Sequence, residues 1–371
     1  MLSRTPRRAI PFHKWAGKGD TPVPHATISL AMKRLILVVM ALGRVMQGAP
    51  VERIIFDTDP LRFTDDGHAA VMLLRTPQKV KILGMTIVAG NAWAAEGAGF
   101  MWQTLKAIHR TDVPLYLGAQ APLVHTLAMA KEEARQWGPF EYMAAFERPF
   151  TADIGEARVM RESAVQFLVR TIETNPGKIT LFAIGPMTNI AMALRLRPDL
   201  ETKIQQIVFM GGSVHVPGNV TALSEVNFWF DPEAAQVVLR SKIPRKVMFG
   251  LDICNHAVMT RAMFDEIVAA QTPVTEMFKE SMGNHYPNFL KKPDATGYIW
   301  DCLAAGYLID PSFVTKSETL YLDVESSFGK SYGAVRNLDR KLAPEATPVS
   351  VMLDLDTTKF FRMYKDLLTR R

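Results

Sequence analysis

The strongest constraint on the fold is an alternation that runs from Val51 to at least Cys254. Near-continuous apolar runs of strand length take turns with segments of helical spacing. "ERIIFDTD" (52–59), "VKILGMTIVAG" (80–90), "VPLYLGA" (113–119), "KITLFAIGP" (178–186), "IQQIVFMGG" (204–212) and "RKVMFGLDIC" (245–254) read as strands. Between them, "GHAAVMLLRT" (67–76), "AEGAGFMWQTLKAIHR" (95–110), "ESAVQFLVRTIETNP" (162–176), "MTNIAMALRLRP" (187–198) and "DPEAAQVVLRS" (231–241) read as helices. Strands apolar on both faces belong to a parallel sheet covered by helices on each side. The expected class is therefore α/β, with an open, mostly parallel central sheet. The segment 131–160 reads as polar and mobile. No internal repeat or linker interrupts 51–371, which reads as one domain.

Charge narrows the function. The formal excess of +6 over 371 residues lies entirely in residues 1–34, which hold seven Lys and Arg against Asp20. The body is formally neutral and offers no basic face of the kind that binds nucleic acid. Residues 1–31 carry scattered prolines without periodicity and read as disordered. Met32-Lys33-Arg34 followed by "LILVVMALG" (35–43) reads as a secretory signal, with Met32 as a second candidate start. This predicts a 1–50 extension containing a signal segment at 32–49. The location would then be periplasmic or secreted, and cytoplasmic if the segment is instead a packed helix. No apolar run is long enough for stable membrane insertion. Cys254 and Cys302 make neither a disulfide framework nor a zinc spacing.

In parallel sheets of this kind ligands bind beyond the carboxyl ends of the strands. Those ends carry Asp57, Asp59, Asp65, Asp66, Asn91, the turn 184–189, Met210-Gly211-Gly212 and Asp252. "DTDPLRFTDD" (57–66) places four carboxylates within ten residues. One Asp there could simply cap a helix. Four repelling carboxylates point instead to a hard cation, which takes oxygen donors. A phosphatase of the haloacid-dehalogenase kind also opens with a strand and D-x-D. Leu61 stands where that motif wants Thr or Val, and the better match, "DLDTT" (354–358), lies too near the end of the chain.

Taken together, these blocks resemble the inosine–uridine preferring nucleoside hydrolases over 51–371. "DTDPLRFTDD", "TIVAGN" (86–91), "VPLYLGAQAPL" (113–123), "FAIGPMTNIAMALRLRPDL" (182–200), "IVFMGGSV…GNVTALSEVNFWFDPEAA" (207–235) and "IWDCLAAGYLIDP" (299–311) follow the family's order. The family's glycine after D-x-D-P is Leu61 here, and Trp300 stands where a histidine often precedes the last metal carboxylate.

The resemblance implies calcium-dependent hydrolysis of the N-glycosidic bond of a ribonucleoside, giving free base and ribose. It places Ca²⁺ on Asp59, Asp66, the Ile184 carbonyl and Asp301, with Asp59 also the catalytic base. It places the substrate on Asp65, Asn91, Met210, Asn219, Glu225, Asn227 and Trp300, with Asp57 in support. Trp300, with Trp93 or Trp229, is expected to line the pocket and favour purines. From their place in the sequence, His285 and Tyr286 in the loop 283–289 are better candidates to cover the base than His256, which reads as a packed or capping residue. A homo-oligomer is left open. The altered first loop motivates a second reading, a catalytically impaired nucleoside- or ribose-binding protein on the same scaffold.

Overall fold

The computed structural model of the chain describes residues 50–371, Tyr286 excepted; the candidate signal segment and the residues before it lie outside them. The strands are β1 (Glu52–Thr58), β2 (Val80–Ile87), β3 (Leu115–Leu117), β4 (Thr180–Ala183), β5 (Gln206–Met210), β6 (Lys246–Phe249), β7 (Val258–Thr260), β8 (Thr296–Tyr298), β9 (Val314–Val324), β10 (Val335–Asn337) and β11 (Pro348–Leu355). Nine form one sheet in the order β10-β9-β11-β6-β5-β4-β1-β2-β3, and β7 pairs with β8 separately. The run from β3 to β6, and the pairing of β6 with β11, are parallel. Only β9 runs against it; β10, antiparallel to β9, points the same way as the rest. The expected α/β class, with a mostly parallel sheet, is what the structure has.

Successive strand residues serve opposite faces, which is why the strands read as unbroken apolar runs. Ile54, Phe56, Val208 and Phe249 pack on one side against the helices Asp65–Leu74, Asp301–Ile309 and Thr357–Thr369. Ile55, Leu181, Phe209 and Met248 pack on the other against Ala164–Thr174, Thr188–Leu196 and Pro232–Arg240. Each such side chain, fully buried, contributes roughly 1.5–3 kcal/mol. Helix starts are capped as their sequences suggest: Ser163 and Gln166 form a reciprocal capping box, and Asp231 accepts from Ala234.

Two local readings need correction. The segment 131–160 is not a plain mobile stretch: a helix runs Leu127–Trp137, and Glu133 within it is buried against the indole N–H of Trp229 at 2.8 Å. The loop placed at 283–289 is helical, covered by Pro273–His285 and Pro287–Lys291. Among the described residues no helix is long and apolar enough to cross a membrane.

Candidate active site

The chain order reverses at β1, whose neighbours are β2 on one side and β4 on the other. Such a switch point opens a crevice at the carboxyl ends of the strands. β1 delivers Asp57 and Asp59 there, β4 delivers Ile184 and β5 ends at Met210.

Asp57 is fixed from both sides. Its Oδ2 accepts from Thr86 Oγ1 at 2.5 Å on β2 and from Asn189 Nδ2 at 2.8 Å. Burial pushes its carboxyl up to about 7 against those two hydrogen bonds. Asp57 thus braces the strand ends rather than joining the crowd ahead of it.

Asp59, just past the end of β1, is equally buried. Its Oδ2 accepts from the Asn91 amide at 2.7 Å, and its own amide donates to Asp66 Oδ1 at 3.3 Å. Two glycines make room for it. A Cβ at Gly90 would fall 2.0 Å from Asp59 Oδ2, and one at Gly185 would fall 2.6 Å from Oδ1. Asp65 and Asp66 open the helix Asp65–Leu74, and Thr58 Oγ1 donates to Asp66 Oδ1 at 2.5 Å. Asp65 Oδ2 accepts from the Asp301 amide at 3.4 Å, where the next helix begins. One oxygen each from Asp65, Asp66 and Asp301 lies within 4.8 Å of the others. The longer loop between the Asp pairs is held down by Leu61 and Phe63, both buried.

Electrostatically the cluster is unfinished. Burial raises the carboxyls of Asp59, Asp65, Asp66 and Asp301, that of Asp66 to about 7. Their mutual repulsion adds to this: Asp66 acts on Asp59, and Asp65, Asp66, Asp59 and Glu225 act on Asp301. Among the described residues no Lys, Arg or His forms an ion pair with any of the four. Asp59 Oδ1 and Asp66 Oδ2 are buried without a hydrogen-bond partner among the described residues. Buried acceptors left this way are costly unless a proton or a cation meets them. An all-oxygen donor set fits a hard divalent cation. The tightest trio includes Asp65 rather than Asp59. Each of the two accepts a backbone N–H, but of the two only Asp59 also keeps a buried oxygen with no partner among the described residues, so Asp59 has the greater need of a cation.

The remaining expected residues are brought close, but protein groups hold them. Ile184 takes its amide hydrogen bond to Asp57 O at 3.0 Å, and its carbonyl accepts from Asn227 Nδ2 at 3.1 Å. The same amide reaches Met210 O at 3.2 Å, tying β4 to β5. Glu225 is wholly buried as the cap of Val226–Phe230. It accepts from Asn227 and Phe228 amides at 2.9 and 3.2 Å and from the Gly212 amide at 2.7 Å. Asn219 Oδ1 accepts from the Val226 amide at 3.0 Å, and Asn91 Oδ1 accepts from Tyr142 at 2.8 Å. A hydroxylated ligand would have to exchange with these partners. Trp300 immediately precedes Asp301, and its ring stacks on Tyr298, 5.4 Å between centroids and 13° between planes.

Some expected residues fall elsewhere. Trp229 is 0 % exposed and belongs to a separate aromatic core with His125, Phe140 and Phe146, so it presents no free surface to a ligand. Trp93 is nearly buried, with its indole N–H on Arg148 O at 3.1 Å. His256 is neither packed nor a cap; it is exposed, 3.2 Å from Asp354. The side chains of His285 and Tyr286 lie outside the described residues. Sequence reasoning passed over Thr58, Thr86, Asn189 and Tyr142. The first carried a signal, the hydroxyl inside D-T-D, but a tyrosine in a polar stretch did not.

The switch-point crevice gathers buried carboxylates, side-chain amides and a strand-end carbonyl, an oxygen-rich lining of the kind that takes a hard cation. The sequence profile of the inosine-uridine preferring nucleoside hydrolases matches residues 54–362. The pyrimidine-specific ribonucleoside hydrolase RihB of Shigella sonnei is 33% identical over 319 residues, 82% of this chain and 93% of the relative. Its Escherichia coli K12 counterpart matches equally. Among solved structures, the plant nucleoside hydrolase PpNRh1 superposes with a TM-score of 0.72 at 21% identity, covering 87% of this chain and all of that one. The purine-preferring ribonucleoside hydrolase of Gardnerella vaginalis gives 0.68 at 22%, covering 86% and 98%. These last two establish the shared fold.

The chain belongs to the inosine-uridine preferring nucleoside hydrolase family and is an N-glycosidase acting on ribonucleosides. The family is metal-dependent, and Asp65, Asp66 and Asp301 mark the place on this chain that fits an ion.

Proposed function

We propose that the chain hydrolyses ribonucleosides with Ca²⁺ as its cation, held by Asp59, Asp66, Asp301 and the Ile184 carbonyl. The observation that carries this is the pair of bare buried oxygens, Asp59 Oδ1 and Asp66 Oδ2, in a cluster without a cationic side chain. Bound there, the cation would acidify and orient a water molecule. Asp59 takes that water's proton, its Oδ2 steadied by the Asn91 amide. The oxygen adds to C1′ of the ribose as the bond from C1′ to the base nitrogen breaks, the base takes a proton from solvent, and Asp59 returns its own to solvent. Asp65, Asn91, Asn219, Glu225 and Asn227 hold the ribose hydroxyls, with Met210 against the sugar. Their negative field favours the oxocarbenium-like charge on the sugar.

Trp300 supports a preference for purines over uridine, because a large flat face stacks best on a large base. The relatives at 33% identity are named for pyrimidine substrates, and a panel of both base classes separates the two preferences. Purified protein should be given inosine, adenosine and uridine, with and without chelator, and free base and ribose quantified. No release of base from any of them would favour the alternative, a nucleoside- or ribose-binding protein. We further propose export, on the order Met32-Lys33-Arg34 then "LILVVMALG". N-terminal sequencing of native protein should begin after residue 49, and cytoplasmic protein retaining 35–49 would refute it.

A further inference from the structure

Between the helices Asp65–Leu74 and Pro273–His285 lies a cavity of about 200 Å³. That is small for a whole nucleoside, since pockets for drug-sized ligands run to roughly 300–1,000 Å³. Aromatic rings supply much of its wall: Phe63, Phe278, Phe289, Tyr298 and Trp300, with His68 among them. Asp65 lines it too, and Asp65 also belongs to the carboxylate cluster, so the cavity adjoins the reaction site.

Two buried polar atoms of this lining have no partner among the described residues, His68 Nε2 and Trp300 Nε1. His68 is 2 % exposed and wedged edge-on between Phe63 and Phe278, at 4.7 and 4.5 Å between centroids. Its Nδ1 lies 2.9 Å from the hydroxyl of Tyr364, which is wholly buried. If Nδ1 carried the imidazole hydrogen, the tyrosine hydrogen would be left without an acceptor in the core. Tyr364 therefore donates to Nδ1, and the hydrogen of the ring sits on Nε2. Indole nitrogen is a donor only. The residues lining the cavity thus carry two buried N–H groups without acceptors among the described residues, and buried donors left so are costly.

We propose that His68 is a specificity-determining residue: its Nε2–H donates to the O6 of a 6-oxopurine whose ring lies against the face of Trp300. The assignment rests on the nucleoside-hydrolase reading above. A 6-aminopurine would bring an amino group to meet a donor, and a site built to hydrogen-bond one edge rejects the edge that cannot answer it. The aromatic wall suits a flat ring system, and its size suits the base alone, with the ribose left at the carboxylates.

The test compares kcat/KM for inosine and adenosine in wild type, His68→Leu, His68→Gln and Tyr364→Phe, with melting temperatures for each. It adds wild-type inhibition constants for hypoxanthine and adenine, and wild-type turnover of p-nitrophenyl riboside, whose leaving group has no purine edge. Wild type should favour inosine by about tenfold or more and bind hypoxanthine more tightly than adenine. His68→Leu should lose about tenfold of that ratio, the value of one hydrogen bond. His68→Gln, which keeps a donor, should recover part of it, and Tyr364→Phe, which frees the tautomer, should lower it. Wild type that cleaves the nitrophenyl riboside but treats the two purines and the two free bases alike overturns the inference alone. So does a ratio unmoved in both His68→Leu and Tyr364→Phe. Wild type that cleaves no riboside overturns the hydrolase reading and this inference with it. Were the variants not to fold, the wild-type base inhibition constants decide the matter by themselves.

Discussion

The backbone amide of Asn91 donates to Oδ2 of Asp59 at 2.7 Å, while Oδ1 of the same carboxylate is buried with nothing to accept. One oxygen is pinned and the other is bare. A carboxylate so placed is oriented for chemistry at one oxygen, and the loop that pins it comes from the neighbouring strand β2, not from its own helix.

Asp59→Asn should therefore lose turnover far more than binding. The amide keeps the shape and can still accept from Asn91, but it cannot take a proton. The expected loss in kcat for inosine is about 10²- to 10⁴-fold, with KM changed little. A variant retaining most of the wild-type kcat would remove Asp59 as the base.

Gly90→Ala tests the same seat without touching a carboxylate. The added methyl would fall 2.0 Å from Asp59 Oδ2, so Asp59 or the 90–91 turn must move. Overpacking of this kind costs about 1–3 kcal/mol, and a displaced reacting group should cost kcat roughly 10²-fold. Wild-type kcat in a folded Gly90→Ala protein would show that the position of Asp59 is not critical.

The pH dependence of stability follows from the raised carboxyls. Asp57 and Asp66 titrate near 7 in the cation-free fold and near 4 when unfolded. The folded state then holds more protons than the unfolded state between those values, so stability falls as pH rises through that window. The melting temperature of chelator-treated protein should drop from about pH 5 to about pH 8, and added Ca²⁺ should raise it more at the higher pH. A cation-free melting temperature that rises over that range would contradict the burial argument.

For Trp300, the measurement is kcat/KM for inosine and uridine in wild type and Trp300→Ala. Stacking on a base is worth roughly 1–3 kcal/mol. The purine-to-pyrimidine ratio should exceed one in wild type and fall in the variant. A wild type that favours uridine, or a ratio that does not move, would make Trp300 a packing residue for the turn before Asp301.

The parts of this architecture legible in the sequence are those that rest on periodicity and charge. Ile54, Phe56, Val208 and Phe249 face one core and Ile55, Phe209 and Met248 the other, so β1, β5 and β6 had to read as unbroken apolar runs. The crowd at 57–66 was legible because four like charges cannot lie together unaided. The Ile184 carbonyl was not, because a backbone oxygen leaves no mark on residue identity; only the family pattern pointed to it. Glu225 could not be seen as a helix cap, since its acceptors are spent on amides as distant as Gly212. The helix Leu127–Trp137 was not legible because it is mostly exposed and buries little beyond Ala130 and Glu133. His68 drew no attention as one polar residue in an apolar helix, and its meaning depends on Tyr364, 296 residues away.

The most direct test of the central claim is a calorimetric titration of Ca²⁺ into chelator-stripped wild type and Asp301→Ala, with base release from inosine followed in the same samples. Wild type should bind one Ca²⁺ per chain and gain activity in step with it, and Asp301→Ala, having lost one carboxylate of the cluster, should bind far more weakly and stay inactive. No binding to wild type, or equal binding by both proteins, would contradict the account.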